Sequence, residues 1–316
     1  LYRLLIVSQY KKSVNVSMDI NVTVSATSAN LGPGFDCLGV ALACYNEFRF
    51  ASATHLEIRS LTGTPLDTTA ENLAYRSFAH LFTVLGQPIP PVRLGIRAVV
   101  PLARGLGSSA TAIVGGLVAA NEWLGQPWDR AELLAAATAL EGHPDNVAPA
   151  LLGGCQLSLV AGEVVCAAVP WPETVVPVVV VPDFQLSTQA ARAVLPRVVS
   201  RGDALFNSTR VGLLVLALSQ GRTDWLELAL QDRLHEPYRQ KLVPGLVELA
   251  QVAQSQGAYG LVLSGAGPTV LALCAPVLAQ QVGGALVEAW AGFGVRAEAH
   301  FWEVDRVGVR VYKGEE

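Results

Sequence analysis

Pro101-Leu102-Ala103-Arg104-Gly105-Leu106-Gly107-Ser108-Ser109-Ala110-Thr111 is the stretch whose reading decides the fold. A β-like run over residues 92–100 leads into it, and a helix of small and apolar residues, 108–124, leads out. Gly105 and Gly107 let the backbone approach a ligand without a Cβ in the way. Ser108 and Ser109 fall where the helix begins, able to cap it and to offer hydroxyls. A helix N-terminus carries unpaired N–H groups and partial positive charge, so its natural guest is an anion, most often phosphate. The plainer reading is a capped helix start after a tight turn. Two familiar phosphate motifs do not fit. No lysine follows Gly107, as a Walker loop requires. Gly105, Gly107 and Ala110 loosely meet the dinucleotide fingerprint, which demands a strand after the helix. Here a second helix follows, opened by the capping-box pair Asp129 and Glu132, running to Glu141 and stopped by Gly142.

Upstream, residues 20–26 alternate like a half-buried strand, and Ser28-Ala29-Asn30-Leu31-Gly32-Pro33-Gly34 reads as a loop that breaks regular structure. Strands are expected over 43–50 and 55–59, and a helix over 72–85. Downstream come a short helix within 143–152, a hairpin of 155–160 with 163–168, and a linker at Pro170-Trp171-Pro172. The second half reads as a strand at 175–181 and helices at 189–194, 203–219, 224–231 and 244–256. Strands at 260–263 and 269–274, a helix at 277–290 and a strand at 296–303 close it. Grouped, that order is β-α-β-β-α-β, the ferredoxin-like pattern.

At 316 residues the chain predicts two domains. Although 51% of it is apolar, no uninterrupted run approaches the ~20 residues that span a bilayer. The net charge of −4 argues against a nucleic-acid surface. Five scattered cysteines with no C-x-x-C fit a reducing cytoplasm, and neither a zinc site nor a disulfide frame. Residues 1–17 read as an upstream extension before Met18, the only methionine.

Three motifs, in order, resemble those of the GHMP small-molecule kinases. They are 25–36, the glycine–serine loop at 101–111, and Leu263-Ser264-Gly265-Ala266-Gly267-Pro268-Thr269. Within that family, Glu141-Gly142-His143-Pro144-Asp145-Asn146 and His235-Glu236-Pro237-Tyr238-Arg239 are most like homoserine kinases. The resemblance implies an α+β fold of two domains. Residues 18–170 would form a ribosomal protein S5 domain 2-like ATP-binding domain, and 171–316 a ferredoxin-like one. It implies ATP and Mg²⁺ as cofactors, L-homoserine as acceptor, and a homodimer in the cytoplasm.

The resemblance also distributes roles. Pro101 to Thr111, with Gly265 and Gly267, would hold ATP, and Asn72 would lie near the adenine, although a helix N-cap accounts for Asn72 equally well. Ser109, with Ser108 as the alternative, and Glu141 would hold Mg²⁺, a cation that takes oxygen ligands and keeps several waters. Homoserine is a zwitterion. Arg192 and Arg239 match the positions for its carboxylate, to which a guanidinium fork is suited. Asn30, Asp36 and Asn146 match those around its ammonium and hydroxyl, His143 lies beside them, and Thr188 would join the substrate-binding set. The base stays open between two readings. Asn146 stands where mevalonate kinases place an aspartate, and an amide cannot take a proton, which leaves positioning and charge stabilisation. Alternatively, Asp36 is the base. Rival functions are a GHMP kinase for another alcohol, a non-catalytic nucleotide sensor, and a dinucleotide-dependent oxidoreductase.

Overall fold

A computed structural model describes residues 18–313, so the expected extension at 1–17 lies outside the described residues. The first part of the chain forms β1 (Asp19–Asn30), β2 (Gly34–Ser52), β3 (Glu57–Ser60), α1 (Leu73–Val84) and β4 (Val92–Arg97). Three helices follow, α2 (Ser108–Trp123), α3 (Arg130–Glu141) and α4 (Pro144–Leu152), and then the hairpin β5 (Cys155–Ala161) and β6 (Glu163–Val169). The second part runs β7 (Val176–Pro182), α5 (Thr188–Ala193), α6 (Arg201–Gln220), α7 (Leu226–Ala229), α8 (Glu236–Arg239) and α9 (Leu246–Ser255). It continues through β8 (Gly260–Leu263), β9 (Val270–Cys274), α10 (Ala279–Ala291), β10 (Ala297–His300) and β11 (Arg310–Lys313).

The first sheet has the order β11-β1-β2-β4-β3, with β5 on a second stretch of β2 and β6 on β5. Its spine is β2, whose residues 47–52 pair with β4 and 38–40 with β5. Ile20, Val22, Val24, Phe48 and Phe50 face α1 and α2, and this is the first core. Gly39 is where α4 seats. A Cβ there would lie 1.8 Å from the Asp145 carbonyl, so only glycine permits the approach that brings α4 to the sheet.

The second sheet has the order β10-β7-β9-β8, every neighbour antiparallel, which is the ferredoxin-like arrangement expected. One face packs on α9 and α10 through Val178, Val180, Leu249, Leu286 and Trp290. The other joins a core that mixes both halves of the chain, with Leu38, Val40 and Leu42 against Val179, Val181 and Leu271. The two parts therefore share an apolar core and not a wet seam.

Three expectations change. Ser28, Ala29 and Asn30 stay in β1, so the turn is only Leu31-Gly32-Pro33 and the 28–34 loop shrinks to a hairpin end. The helix expected at 224–231 is a 3₁₀ turn, Thr223–Trp225, followed by the single-turn α7. Finally, β11 crosses the division drawn at residue 170. Its residues pair with Ile20 to Thr23 of β1, in the first sheet.

Candidate active site

The loop between β4 and α2 is held from both halves of the chain. From the first, Thr27 N–H donates to the Leu106 carbonyl at 3.1 Å. From the second, Ser264 Oγ donates to the Gly105 carbonyl at 2.7 Å, Leu186 N–H to Ala103 and Thr269 N–H to Arg104. Arg104 braces the loop, its Nε and Nη2 donating to the carbonyls of Pro182 and Asp183 and its Nη1 to that of Leu102. Gly105 has φ +78° and a Cβ there would meet the Ser264 carbonyl at 2.1 Å, so the loop and the C-terminal glycine turn touch backbone to backbone.

Neither serine caps α2. The N-cap is Gly107, left-handed at φ 65°, with no side-chain bond, so neither serine hydroxyl is spent on capping. Ser109 Oγ instead donates to Glu141 Oε1 at 2.6 Å, joining the start of α2 to the end of α3. Pro101 through Ser109 all line one cavity of about 460 Å³, with Gly265 and Ala266 beside them. Ala110, Thr111 and Gly267 do not line it. Ala110 and Thr111 are fully buried, and Thr111 Oγ1 donates to the Ser108 carbonyl and accepts from Asn46. Asn46 was not anticipated. Its Oδ1 accepts from the N–H groups of Val99 and Val100, so one buried amide pins both the entry to the loop and the first turn of α2.

At one end, the cavity is walled by Pro65, Leu66, Ile96 and Ala98, none of them anticipated. Asn72 lines this end but its groups are occupied. Its Oδ1 caps α1 by accepting from Ala74 and Tyr75, and its Nδ2 donates to the Asp67 carbonyl at 2.7 Å. Asn72 thus shapes the 65–67 wall.

At the other end stand Asn30, Phe35, Asp36, His143, Asn146, Thr188, Arg192 and Arg239, so all of the residues expected around the acceptor come together. Asn30 and Asp36 both have left-handed backbones, φ 73° and 58°, and Asn30 Oδ1 accepts the Asp36 N–H while its Nδ2 reaches the Gly265 carbonyl. Asp36 and Arg192 form a two-pronged pair, Nη2 to Oδ1 at 2.6 Å and Nη1 to Oδ2 at 3.1 Å. Arg239 is 2% exposed. Burial, and next the charge of Arg192, push its pKa down, so an anion between the two guanidiniums is strongly favoured. The ring of Phe35 lies 5.5 Å from Arg192 Cζ and 5.3 Å from Arg239 Cζ.

The start of α4 supplies the remaining wall. Asn146 Oδ1 accepts from Thr27 Oγ1 at 2.7 Å, and its Nδ2 is 3.3 Å from Asp145 Oδ1. That same Asp145 oxygen is 2.5 Å from His143 Nδ1. Burial works against a charge on His143, but the bond to Asp145 and that residue's charge outweigh it and raise the imidazole pKa. Asp145 itself was missed, although it lies inside the quoted 141–146 run. An acid in the first turn of a helix is favoured by the dipole, so its residue type alone carries no signal of a site.

Residues 72–154 match the GHMP kinases N terminal domain, and residues 214–292 the GHMP kinases C terminal family. A homoserine kinase of Synechocystis is 51% identical, covering 94% of this chain and 99% of that protein. One from Picosynechococcus is 52% identical over 92% and 98%. Among solved structures, a homoserine kinase from Cytophaga hutchinsonii superposes with a TM-score of 0.86 at 29% identity, covering 96% of this chain and 99% of that one. A mevalonate kinase from L. major in complex with R-mevalonate has a TM-score of 0.70 at 17% identity, which speaks for the fold alone.

Proposed function

The chain belongs to the homoserine kinases of the GHMP kinase family, and on that premise we propose how its cavity carries the reaction. The enzyme transfers the γ-phosphoryl group of ATP to the hydroxyl of L-homoserine, giving ADP and O-phospho-L-homoserine on the route to threonine. The observation that carries the residue-level reading is a single cavity. It joins the N-terminus of α2, an anion cradle, to the Asp36–Arg192–Arg239 cluster, which complements a zwitterion.

The triphosphate lies over Gly105 to Ser109, with the adenine against Leu66, Ile96 and Ala98. The acceptor's carboxylate sits between Arg192 and Arg239. Its ammonium meets the lone pairs of Asp36 that Arg192 leaves free, and Thr188 and Asn30 complete the wall. The fit to Mg²⁺ is chemical: Ser109 and Glu141 are hard oxygen donors already in contact, at the edge of the phosphate cradle. When bound, Mg²⁺ offsets the charge of the phosphates. Asn146 directs its amide at the acceptor hydroxyl from a position fixed by Thr27 and Asp145. Both oxygens of Asp36 accept guanidinium hydrogens, which suits an ammonium site better than a base. The proton therefore leaves through phosphate or solvent, and catalysis is positioning and charge stabilisation.

We place the enzyme in the cytoplasm. None of its five cysteines is paired, and no helix among the described residues is long and apolar enough to cross a membrane. A homodimer rests on the family alone, and sedimentation of the purified protein decides it. The function is tested by ADP release with ATP and Mg²⁺ across homoserine, mevalonate, galactose, serine and no acceptor. Turnover with homoserine alone is expected. Turnover with another alcohol discards the acceptor assignments, and silence from folded, ATP-binding protein turns the reading to a nucleotide sensor.

A further inference from the structure

Arg239 is buried, yet it borders the cavity, and its donors are shared out unevenly. Its Nε reaches the Ala191 carbonyl at 3.3 Å. Its Nη1 faces two acceptors, the Gly265 carbonyl at 3.0 Å and His235 Nδ1 at 3.1 Å. Among the described residues no partner takes Nη2, which leaves that edge of the fork for an anionic ligand.

His235 is fully buried and has a partner on each ring nitrogen. Its Nε2 is 2.8 Å from the Gly32 carbonyl. A carbonyl only accepts, so Nε2 carries a hydrogen. A guanidinium only donates, so Nδ1 is bare. The two neighbours agree on one form of the ring, neutral and protonated on Nε2. Burial is the largest influence on the imidazole and lowers its pKa, as does the charge of Arg239, while Asp232 (Oδ2 3.8 Å from Nε2) pulls the other way. The ring plane is fixed by Phe35, stacked at 5.2 Å and 25°. Its backbone is fixed by Asp232 Oδ2, which accepts the His235 and Glu236 N–H groups at 2.8 Å.

We propose that His235 is a positioning residue for homoserine recognition: held by the Gly32 carbonyl, it accepts an N–H of Arg239 and so aims the other edge of that guanidinium at the acceptor's carboxylate. The inference rests on the reading that Arg239 binds that carboxylate. It also links the Leu31–Pro33 turn, which presents Phe35 and Asp36, to α8, which presents Arg239. One imidazole thereby sets the distance between the anionic and cationic walls of the acceptor pocket.

The test uses two amides that each copy one ring nitrogen. In His235→Gln the side chain retains a donor for Gly32 and loses the acceptor for Arg239. In His235→Asn the acceptor is retained and the donor lost. His235→Gln should raise the homoserine KM about tenfold or more, with the ATP KM within about twofold, and His235→Asn should give a smaller rise. The carboxylate-free acceptor 3-aminopropan-1-ol should be used equally well by parent and His235→Gln. Equal losses on both acceptors, or a homoserine KM within about twofold of the parent in His235→Gln while Arg239→Gln raises it, overturn the proposal. If Arg239→Gln itself leaves the homoserine KM unmoved, the carboxylate reading falls and this one with it. Should the His235 variants fail to fold, ¹⁵N-histidine spectra of the parent decide. A His235 ring that keeps Nε2–H and a bare Nδ1 from about pH 5.5 to about 8.5 is expected, and one that gains a proton over that range refutes the arrangement.

Discussion

Replacing Gly107 by alanine perturbs the point where the phosphate loop, β1 and α4 meet. Gly107 has φ +65°, and an added Cβ would lie 1.9 Å from Thr27 Oγ1, 3.2 Å from Thr27 Cβ and 3.0 Å from Asn146 Oδ1. Ordinary contact begins at 3.4 Å, so the threonine oxygen must retreat by about 1.5 Å. Thr27 is fully buried in β1, and its hydroxyl bonds Asn146 at 2.7 Å. Rotating the hydroxyl away breaks that bond and leaves a buried acceptor unpaired, at about 1–3 kcal/mol. The left-handed backbone adds about 1–2 kcal/mol for a residue with a Cβ. Together the cost is about 2–5 kcal/mol, read by urea unfolding followed through tryptophan fluorescence. Turnover should fall about a hundredfold, because Asn146 loses its anchor beside the acceptor hydroxyl. Gly86→Ala is the control. It shares a left-handed φ, +64°, but its Cβ would meet nothing within 4 Å, so it should cost only the backbone term of about 1–2 kcal/mol. If Gly107→Ala is no more destabilising than Gly86→Ala and turns over within about threefold of the parent, the account of this junction is wrong.

Asp36→Asn should raise the homoserine KM about tenfold or more while kcat changes little, since a charged hydrogen-bond partner is lost. A fall in kcat of several orders with the KM unmoved would instead make Asp36 the base. Glu141→Ala should shift the Mg²⁺ concentration needed for half-maximal rate upward by about tenfold, and normal Mg²⁺ dependence would remove Glu141 from the metal site. A third change concerns stability. Burial pushes the Glu236 carboxyl up to about 8 from an ordinary 4.5, so the folded protein holds a proton that the unfolded chain releases. Stability from this group is full below about pH 4.5 and is lost as pH rises towards about 8. Glu236→Gln keeps an acceptor for the Leu263 N–H, 2.7 Å away in the parent. It should flatten that loss, by about 2 kcal/mol or more between about pH 5 and 8. Parallel urea profiles for the two proteins would contradict the assignment.

The phosphate loop is legible in the sequence because glycines followed by serines at a strand-to-helix junction leave backbone N–H groups and hydroxyls open to an anion. The ferredoxin-like order is legible because β7 is short and valine-rich, β8 and β9 flank a glycine turn, and the helices are separated from the strands by clear breaks. Other parts hide for physical reasons. Residues 38–42 of β2 are buried on both faces, one towards α4 and one towards the second sheet, so they show no alternation. The strand β11 is four residues long and half charged, and nothing but its partner β1 marks it. The acceptor residues come from β1, β2, α4, α5 and α8. Only the fold assembles them, so the resemblance to a family could name them where spacing could not. Phe35 and His235 act through partners far away in sequence, Arg192 and Arg239 for the first and Gly32 for the second, a relation no local pattern carries.

The return of β11 to the first sheet means that the ferredoxin-like part is inserted into its neighbour by two strands of chain. One passes through Trp171, the other through Asp305 and Arg306. The two lie side by side: Arg306 Nη2 donates to the Trp171 carbonyl at 3.1 Å, Glu303 and Asp305 bond β2 at Ala43 and Ala41, and the Asp305 carbonyl accepts from Gly154. Two tethers attached at one edge, over a shared apolar core, fasten the second part to the first twice. They also mean that cutting the chain at the linker does not yield two free-standing halves, because residues 18–170 alone would lack the strand that covers β1.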